Sequence, residues 1–162
     1  MRKQKGFSLI ELLIVVAIIL IIAAIAIPNL LRARIAANES SAASGIRTIN
    51  TAEVSYFSNF PTVGYSRALA DLGDGGAACP APPTQTVSCL IDNVLATNGG
   101  GTGKSGYSYT EVGTITTYHA EASAVSQNTS GVRAFCSVED AVVRFKNPGP
   151  IAVCTAAEAP LQ

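Results

Sequence analysis

Residues 5–31 of the chain read KGFSLIELLIVVAIILIIAAIAIPNLL, an aliphatic run that contains a single acid, Glu11. The apolar stretch at 7–27, about 21 residues long, would form a helix of roughly 30 Å, which is the thickness of the hydrocarbon core of a bilayer. Three of the first five residues are basic. This basic flank predicts a cytoplasmic N-terminus, with the bulk of the chain on the other side of the membrane.

Glu11 is the residue that needs an explanation, because a carboxylate in hydrocarbon costs free energy. Each of the roughly 15 Leu, Ile, Val and Phe residues contributes about −0.3 to −0.6 kcal/mol to insertion, whereas one charged residue costs about 3 kcal/mol at the centre and less near an end. Insertion is therefore favourable in spite of Glu11.

Two general interpretations fit a basic flank followed by an apolar run. One is a secretory signal peptide cut after Ala24-Ile25-Ala26, which would release a small exported binding protein or enzyme. Its weakness is that the run is long for a signal peptide and contains a carboxylate. The other is a plain membrane anchor that tolerates Glu11 because acids are favourable at a helix N-terminus.

The string KGFSLIELL at 5–13 resembles the processing site of the type IV pilin family, which includes the pseudopilins of type II secretion. The resemblance covers about 30 residues and includes Pro28. It implies that a prepilin peptidase removes the leader, residues 1–6, by cutting between Gly6 and Phe7, and then N-methylates Phe7. It also implies that Glu11 of one subunit pairs with the N-terminal amine of a neighbour.

These residue types suit that chemistry. Gly6 has no side chain, so the backbone can enter a protease site in an extended form. The cut creates a positive amine on Phe7 at the membrane surface. In an apolar medium this amine and the Glu11 carboxylate compensate each other far better than either is compensated alone. The pairing would also fix the axial register between subunits.

The helix is expected to continue beyond the membrane segment, over 28–59. Pro28 lacks a backbone donor and clashes with the preceding turn, which predicts a kink or local melting near residues 24–28. Gly45 weakens the helix without ending it, and Pro61 ends it. Apolar residues then recur at steps of three or four, with Glu53 as the one break, in a stripe made of Leu31, Ile35, Ala42, Ile46, Ile49, Tyr56, Phe57 and Phe60.

Residues 60–162 are expected to form a globular head. A loop occupies 60–103, in which residues 90–96 fit a short helix or a strand equally well. A period of two predicts an antiparallel meander over about 106–146. An α+β fold, with the second half of a long N-terminal helix packed on a four-stranded antiparallel sheet, is also what the pilin resemblance implies. The predicted strands are Tyr107–Val112, Tyr118–Ala124, Val132–Val138 and Ala141–Phe145.

The head contains all four cysteines, which suit disulfides in an exported domain. Four cysteines allow three pairings, and spacing alone does not choose among them. The pairs that lie near each other in sequence, Cys79–Cys89 and Cys136–Cys154, are favoured. The second pair would bound a C-terminal region at 136–154.

The sequence offers no group of residues suited to catalysis or to a cofactor. His119 is the only histidine and falls on the outward face of a strand, and no C-x-x-C pair occurs, so no metal site is expected. Asp71, Asp74 and Asp92 lack the alternating ligands of a calcium loop. The net charge is zero and the head has no basic run, so no specific nucleic-acid site is expected either.

We therefore expect a non-enzymatic structural subunit of a type IV pilus. Its partners would be further copies of itself in a helical filament, the prepilin peptidase, an inner-membrane assembly platform and, before assembly, the lipid bilayer. It would lie in the bacterial inner membrane first and in an extracellular filament later, serving motility, adhesion or DNA uptake. The alternatives are a pseudopilin of a type II secretion system and the small exported protein with an ordinary signal peptide.

Overall fold

The structure is a computed structural model that describes residues 8–149, 154 and 159–161. The chain divides into two compact units, residues 1–34 and 35–162. The longest element is helix α1, Leu9–Asn59, which begins in the first unit and ends in the second. The predicted helix start at Phe7 lies outside the described residues.

Helix α1 continues through Pro28 without interruption. The local melting expected near residues 24–28 is therefore wrong. A proline removes one backbone hydrogen bond of the helix, but the flanking Ala and Leu residues are among the best helix formers and favour both neighbouring turns. The kink at Pro28 stays a prediction.

The second unit contains an antiparallel sheet in which sequential strands are neighbours throughout. The predicted α+β fold and the meander are confirmed, but the described part of the chain contributes five strands to the sheet rather than four. The additional strand is two residues long, too short to show a period of two, and it lies in the tail where no element was expected. The strands are β1 Tyr107–Gly113, β2 Tyr118–Ala124, β3 Ala134–Val138, β4 Arg144–Lys146 and β5 Ala159–Pro160.

The segment between α1 and β1 contains only short elements. Leu69–Leu72 and Gly99–Gly101 form 3₁₀ turns, and Asn93–Ala96 forms helix α2. Residues 90–96, which fitted a helix and a strand equally well in the sequence, therefore contain a short helix. Its N-cap is Asp92, whose carboxylate accepts a hydrogen bond from the Leu95 backbone N–H at 2.9 Å, as expected for an acid at this position.

The core of the second unit lies between α1 and one face of the sheet. Alternate residues of β2, Tyr118, Ala120 and Ala122, are buried there, as the period of two predicts. In β3 the residue facing this core is Phe135, which pairs with Ala122. Ala134, Cys136 and Val138 of the same strand lie on the opposite face and pack with Cys154.

Two disulfides are present in the second unit. Cys79 is bonded to Cys89 within the segment between α1 and β1, and Cys136 of β3 is bonded to Cys154. These are the two pairs that the sequence favoured. Each bond shortens the loops available to the unfolded chain, which stabilises a small domain.

Gly45 is a place where helix α1 packs closely against strand β1. A Cβ atom at this position would lie 2.7 Å from Cε1 of the Tyr109 ring, which is closer than any real carbon contact. Gly45 is therefore the residue that allows the helix to approach the sheet, and the helix propensity it forfeits is outweighed by this packing.

We expect Gly45→Ala to destabilise the second unit, although alanine is the better helix former. Overpacking costs about 1–3 kcal/mol, against a propensity gain of up to about 1 kcal/mol. Urea unfolding of the full chain in detergent measures the difference. The neighbouring exposed Ser44 supplies the control, since Ser44→Ala should change stability by less than about 0.5 kcal/mol. Equal stability of Gly45→Ala and the wild type would contradict this account of the packing.

Candidate functional site

The first unit exposes a continuous aliphatic surface. Every large aliphatic side chain from Leu9 to Leu31 is exposed, by 44% to 74% of its area. Helix α1 contains a window that is long and apolar enough to cross a membrane, with 0% of that window buried. Since apolar surface costs roughly 25 cal/mol per Å² in water, this segment requires an apolar environment.

Glu11 lies in the first turn of this helix, and its side chain contacts the backbone at the helix N-terminus. The Ser8 carbonyl accepts the first helical hydrogen bond, from the Leu12 N–H at 3.3 Å, so Ser8 is the N-cap. The Glu11 carboxylate in turn accepts a hydrogen bond from the Ser8 backbone N–H at 3.0 Å. This is one half of a capping box, and the helix dipole favours an acid at this position.

The predicted cleavage and methylation residues, Gly6 and Phe7, lie outside the described residues. Cleavage between them, methylation of Phe7 and pairing of Glu11 with a neighbouring amine stay predictions. What the structure adds is that Glu11 has a structural role within one chain, because it caps the helix whose aliphatic surface is exposed.

In the second unit, Glu39 of α1 forms a partly buried ion pair that the sequence did not disclose. Glu39 is 6% exposed, and its carboxylate accepts hydrogen bonds from the backbone N–H groups of Val132 and Arg133, both at 3.0 Å. The Arg133 side chain donates a third from Nε at 2.8 Å. Burial alone would raise the pKa of Glu39, but these hydrogen bonds and the charge of Arg133 outweigh it and lower the pKa below its ordinary value.

A second buried acid of α1, Glu53, meets another acid across the core. Glu53 is fully buried and Glu111 of β1 is 4% exposed, and both approach Ser66 in the segment after the helix. The Ser66 backbone N–H donates to Glu53 Oε2 at 3.0 Å. The Ser66 Oγ lies 2.5 Å from Glu53 Oε1 and 2.8 Å from Glu111 Oε2.

Two buried acids that contact the same serine hydroxyl do not both ionise readily, because each negative charge disfavours the other. Burial first, and then the charge of Glu53, raise the pKa of Glu111 to about 9. Burial also raises the pKa of Glu53, although its hydrogen bonds from Ser66 act in the opposite direction. At neutral pH we therefore expect the pair to retain one proton, held mainly by Glu111.

The remaining residues singled out from the sequence have structural contacts. His119 is half-buried, and its Nε2 accepts a hydrogen bond from the Cys154 backbone N–H at 3.3 Å. Asp74 accepts a hydrogen bond from the Gly76 N–H at 2.8 Å. Asp92 pairs with Lys104 at 3.0 Å. Among the described residues, no group of three His, Cys, Asp or Glu side chains could hold a metal ion.

The sequence did contain a signal for the buried polar residues of α1. Glu39, Asn50 and Glu53 fall on the same three-and-four-residue spacing as the buried apolar stripe. Asn50 uses its position to donate to the Ala141 carbonyl at 2.9 Å and to accept a hydrogen bond from the Tyr118 hydroxyl at 3.0 Å. A polar residue within an apolar stripe therefore indicated a buried hydrogen bond, but not its distant partner.

Comparison with known proteins identifies relatives of the N-terminal part of the chain. Residues 1–27 match the family described as Prokaryotic N-terminal methylation motif. Over 56 residues, 35% of its length, the chain is 48% identical to the Type IV major pilin protein PilA of Myxococcus xanthus. Over 40 residues, 25% of its length, it is 68% identical to the Type IV wide pilus major component PilA4 of Thermus thermophilus.

These similarities cover 26% of the length of the Myxococcus protein and 30% of that of the Thermus protein. The chain thus spans less than a third of the curated relatives it matches. No solved structure matches the chain.

We expect Glu39→Gln to destabilise the second unit by about 1–3 kcal/mol, because it leaves Arg133 without its carboxylate. Exposed Glu139 is the matched control: Glu139→Gln removes the same charge and should have little effect. The lowered pKa of Glu39 gives a pH signature. Its contribution is present above the ordinary pKa of 4.5 and is lost as the pH falls through the lower folded value. Urea unfolding of both variants between pH 3 and pH 7 measures this, and equal effects of the two variants would contradict it.

Proposed function

We propose that this chain, which belongs to the type IV pilin family, is a structural subunit of a type IV pilus. One observation carries the proposal: within the residues that match the methylation motif, the helix exposes an aliphatic surface, and its first turn contains an acid, Glu11, that caps it. Such a surface suits a lipid bilayer before assembly and a bundle of identical helices afterwards. Both relatives are named as pilus components, which favours a pilus subunit over a pseudopilin of type II secretion.

In this proposal the chain is processed at its N-terminus before assembly. A prepilin peptidase removes residues 1–6 by cutting between Gly6 and Phe7, and Phe7 is then N-methylated. The match to a methylation motif over residues 1–27 supports this step. Removal of the leader eliminates three basic side chains and leaves one new amine at the start of the aliphatic helix.

The location of the protein follows from the same segment. Residues 7–27 span the inner membrane with the N-terminus on the cytoplasmic side, because basic residues before a spanning helix favour that orientation. The head, residues 60–162, then lies outside the cytoplasm, where disulfides persist. The two disulfides of the second unit support this placement.

Assembly transfers the aliphatic helices from lipid into the centre of the filament. There the Glu11 carboxylate accepts the methylated amine of Phe7 from a neighbouring copy. Removing both charges from water costs less when they meet each other than when either is left alone. The platform that drives assembly is a separate inner-membrane machine, and motility, adhesion or DNA uptake would be activities of the assembled filament.

The mature N-terminus is the first test. Mass spectrometry of the protein from membranes and from sheared filaments should find a chain that begins with Phe7 and carries one additional methyl group on its amine. A chain that begins at Ile27 would instead show ordinary signal-peptide cleavage and would contradict the proposal.

The role of Glu11 is the second test. Glu11→Gln retains a side-chain oxygen that can accept the hydrogen bond from the Ser8 N–H, but it removes the charge that attracts the amine. We expect processed, membrane-inserted protein and at least about a tenfold loss of filaments, which corresponds to about 1.4 kcal/mol. Quantitative comparison of the sheared and membrane fractions measures it.

The control is Ser8→Ala, which leaves the Glu11 charge and the backbone hydrogen bond in place and should assemble normally. A normal filament yield from Glu11→Gln would refute the pairing.

A further inference from the structure

Glu53, Ser66 and Glu111 join three separate segments of the second unit. Glu53 belongs to α1, Ser66 to the segment that follows the helix, and Glu111 to β1. We propose that these residues form a proton-dependent latch, which holds residues 60–72 against α1 and β1 while the carboxyl pair keeps a proton, and which loosens when a rise in pH removes it. This carboxyl latch is a property of the head and goes beyond the proposed assembly role of the N-terminal helix.

The number of hydrogen-bond donors requires a proton in the latch. Ser66 has one hydroxyl hydrogen, but its Oγ contacts both Glu53 Oε1 and Glu111 Oε2. A serine hydroxyl can donate to only one of them and must accept from the other. A protonated Glu111 can donate to Ser66 Oγ, which then donates to Glu53 Oε1. With both acids ionised, the contact between Glu111 and Ser66 Oγ would join two acceptors.

The second oxygen of Glu111 supports the same assignment. Oε1 is buried and has no hydrogen-bond partner among the described residues. A carboxylate with an unpaired buried oxygen costs more than a neutral carboxyl group in the same position. The salt bridges of the described residues include neither Glu53 nor Glu111, so no cation there compensates a second negative charge.

The surroundings add further negative charge. Asp71, in the 3₁₀ turn that follows Ser66, disfavours ionisation of both Glu53 and Glu111. Tyr56, Tyr65 and Tyr118 face the pair from α1, the following segment and β2, and burial raises the pKa of each, so they stay neutral. Three further charged groups lie near these tyrosines. Arg67 acts on Tyr56, Glu139 acts on Tyr65 and Asp140 acts on Tyr118.

A proton fits this site better than a metal ion. The Ser66 Oγ lies at 2.5 Å and 2.8 Å from the two carboxyl oxygens, which are hydrogen-bond distances. Oxygens that share a calcium ion each lie at about 2.3–2.6 Å from it and therefore farther from one another. The described residues also place only two carboxyl groups at Ser66.

The latch controls a segment that has few other attachments to the end of β1. The Tyr65 N–H donates to the Thr114 carbonyl at 2.9 Å, just beyond the strand. Gly113 packs directly on the Ser66 carbonyl, where a Cβ atom would lie 2.1 Å from its oxygen. When both acids are charged, they repel each other on either side of one hydroxyl. Of the three segments, we expect the one that carries Ser66 to move, because residues 60–68 lie outside any helix or strand, whereas α1 and β1 are held by their own backbone hydrogen bonds.

The direction of the pH dependence follows from the raised pKa. The folded chain holds a proton that the unfolded chain releases above the ordinary glutamate pKa of 4.5. The stability that this proton contributes is therefore fully present below that value and is lost as the pH rises towards about 9. For one retained proton, the unfolding equilibrium constant rises by up to about tenfold per pH unit across this range.

Urea unfolding of the full chain in detergent, at pH values from 5 to 9, tests the latch. For the wild type we expect the unfolding constant to increase by about tenfold or more from pH 6 to pH 9. Glu111→Gln has the shape of the protonated acid and cannot ionise, so it should lose most of this increase. Glu121→Gln is the matched control, because Glu121 accepts a hydrogen bond from Ser123 Oγ at 2.6 Å but is less buried. It should retain the wild-type dependence.

Amide hydrogen exchange of the wild type, corrected for the intrinsic effect of pH, provides a second measurement that needs no variant. Protection of residues 61–72 should fall between pH 6 and pH 9 before that of β2 and β3. Ser66→Ala should lower the protection of the same segment at both pH values. An equal pH dependence in wild type and Glu111→Gln would overturn the proposal, as would a loss of protection shared evenly by all strands.

Discussion

The exposed aliphatic surface between Leu9 and Leu31 is the constraint from which the rest of the molecule follows. Nothing in the second unit needs to cover it if lipid or other copies of the same helix do so. The head can therefore be a small domain built around the other half of one helix. The first part of helix α1 is exposed, and the second part packs in the core of the second unit. The sequence changes accordingly, from nearly pure aliphatic residues to an apolar stripe that is interrupted by polar ones.

The polar residues of that second half fasten the helix to distant segments. Glu39 binds the segment before β3, Asn50 binds the segment after β3 and the Tyr118 hydroxyl, and Glu53 binds Ser66. The core face of the sheet carries both alanines and large aromatic side chains. Buried hydrogen bonds at three points along the helix add to this packing in defining the register, since each fails if the helix shifts by one turn.

Much of the fold could be predicted from periodicity alone. Steps of three and four residues gave the helix, and alternation gave four of the strands, because both signals are local. The partners of Glu39 and Glu53 could not be predicted, because they lie far away in sequence and only folding brings them together. Glu111 lies on the same face of β1 as the buried Tyr107 and Tyr109. Its burial could therefore be predicted from the alternation, but its proximity to Glu53 could not. A two-residue strand such as β5 leaves no pattern to detect.

The acids of this chain show that the donors around a carboxyl group decide its charge. Glu39 receives three hydrogen bonds, one of them from the side chain of an arginine, and stays ionised although it is buried. Glu111 shares a single serine with another acid, so keeping its proton is the cheaper state. Glu11 receives one backbone donor among the described residues, fewer than Glu39 needs. In an apolar filament core one donor would leave its charge undercompensated, and an amine from a neighbouring copy is the kind of group that would make up the difference.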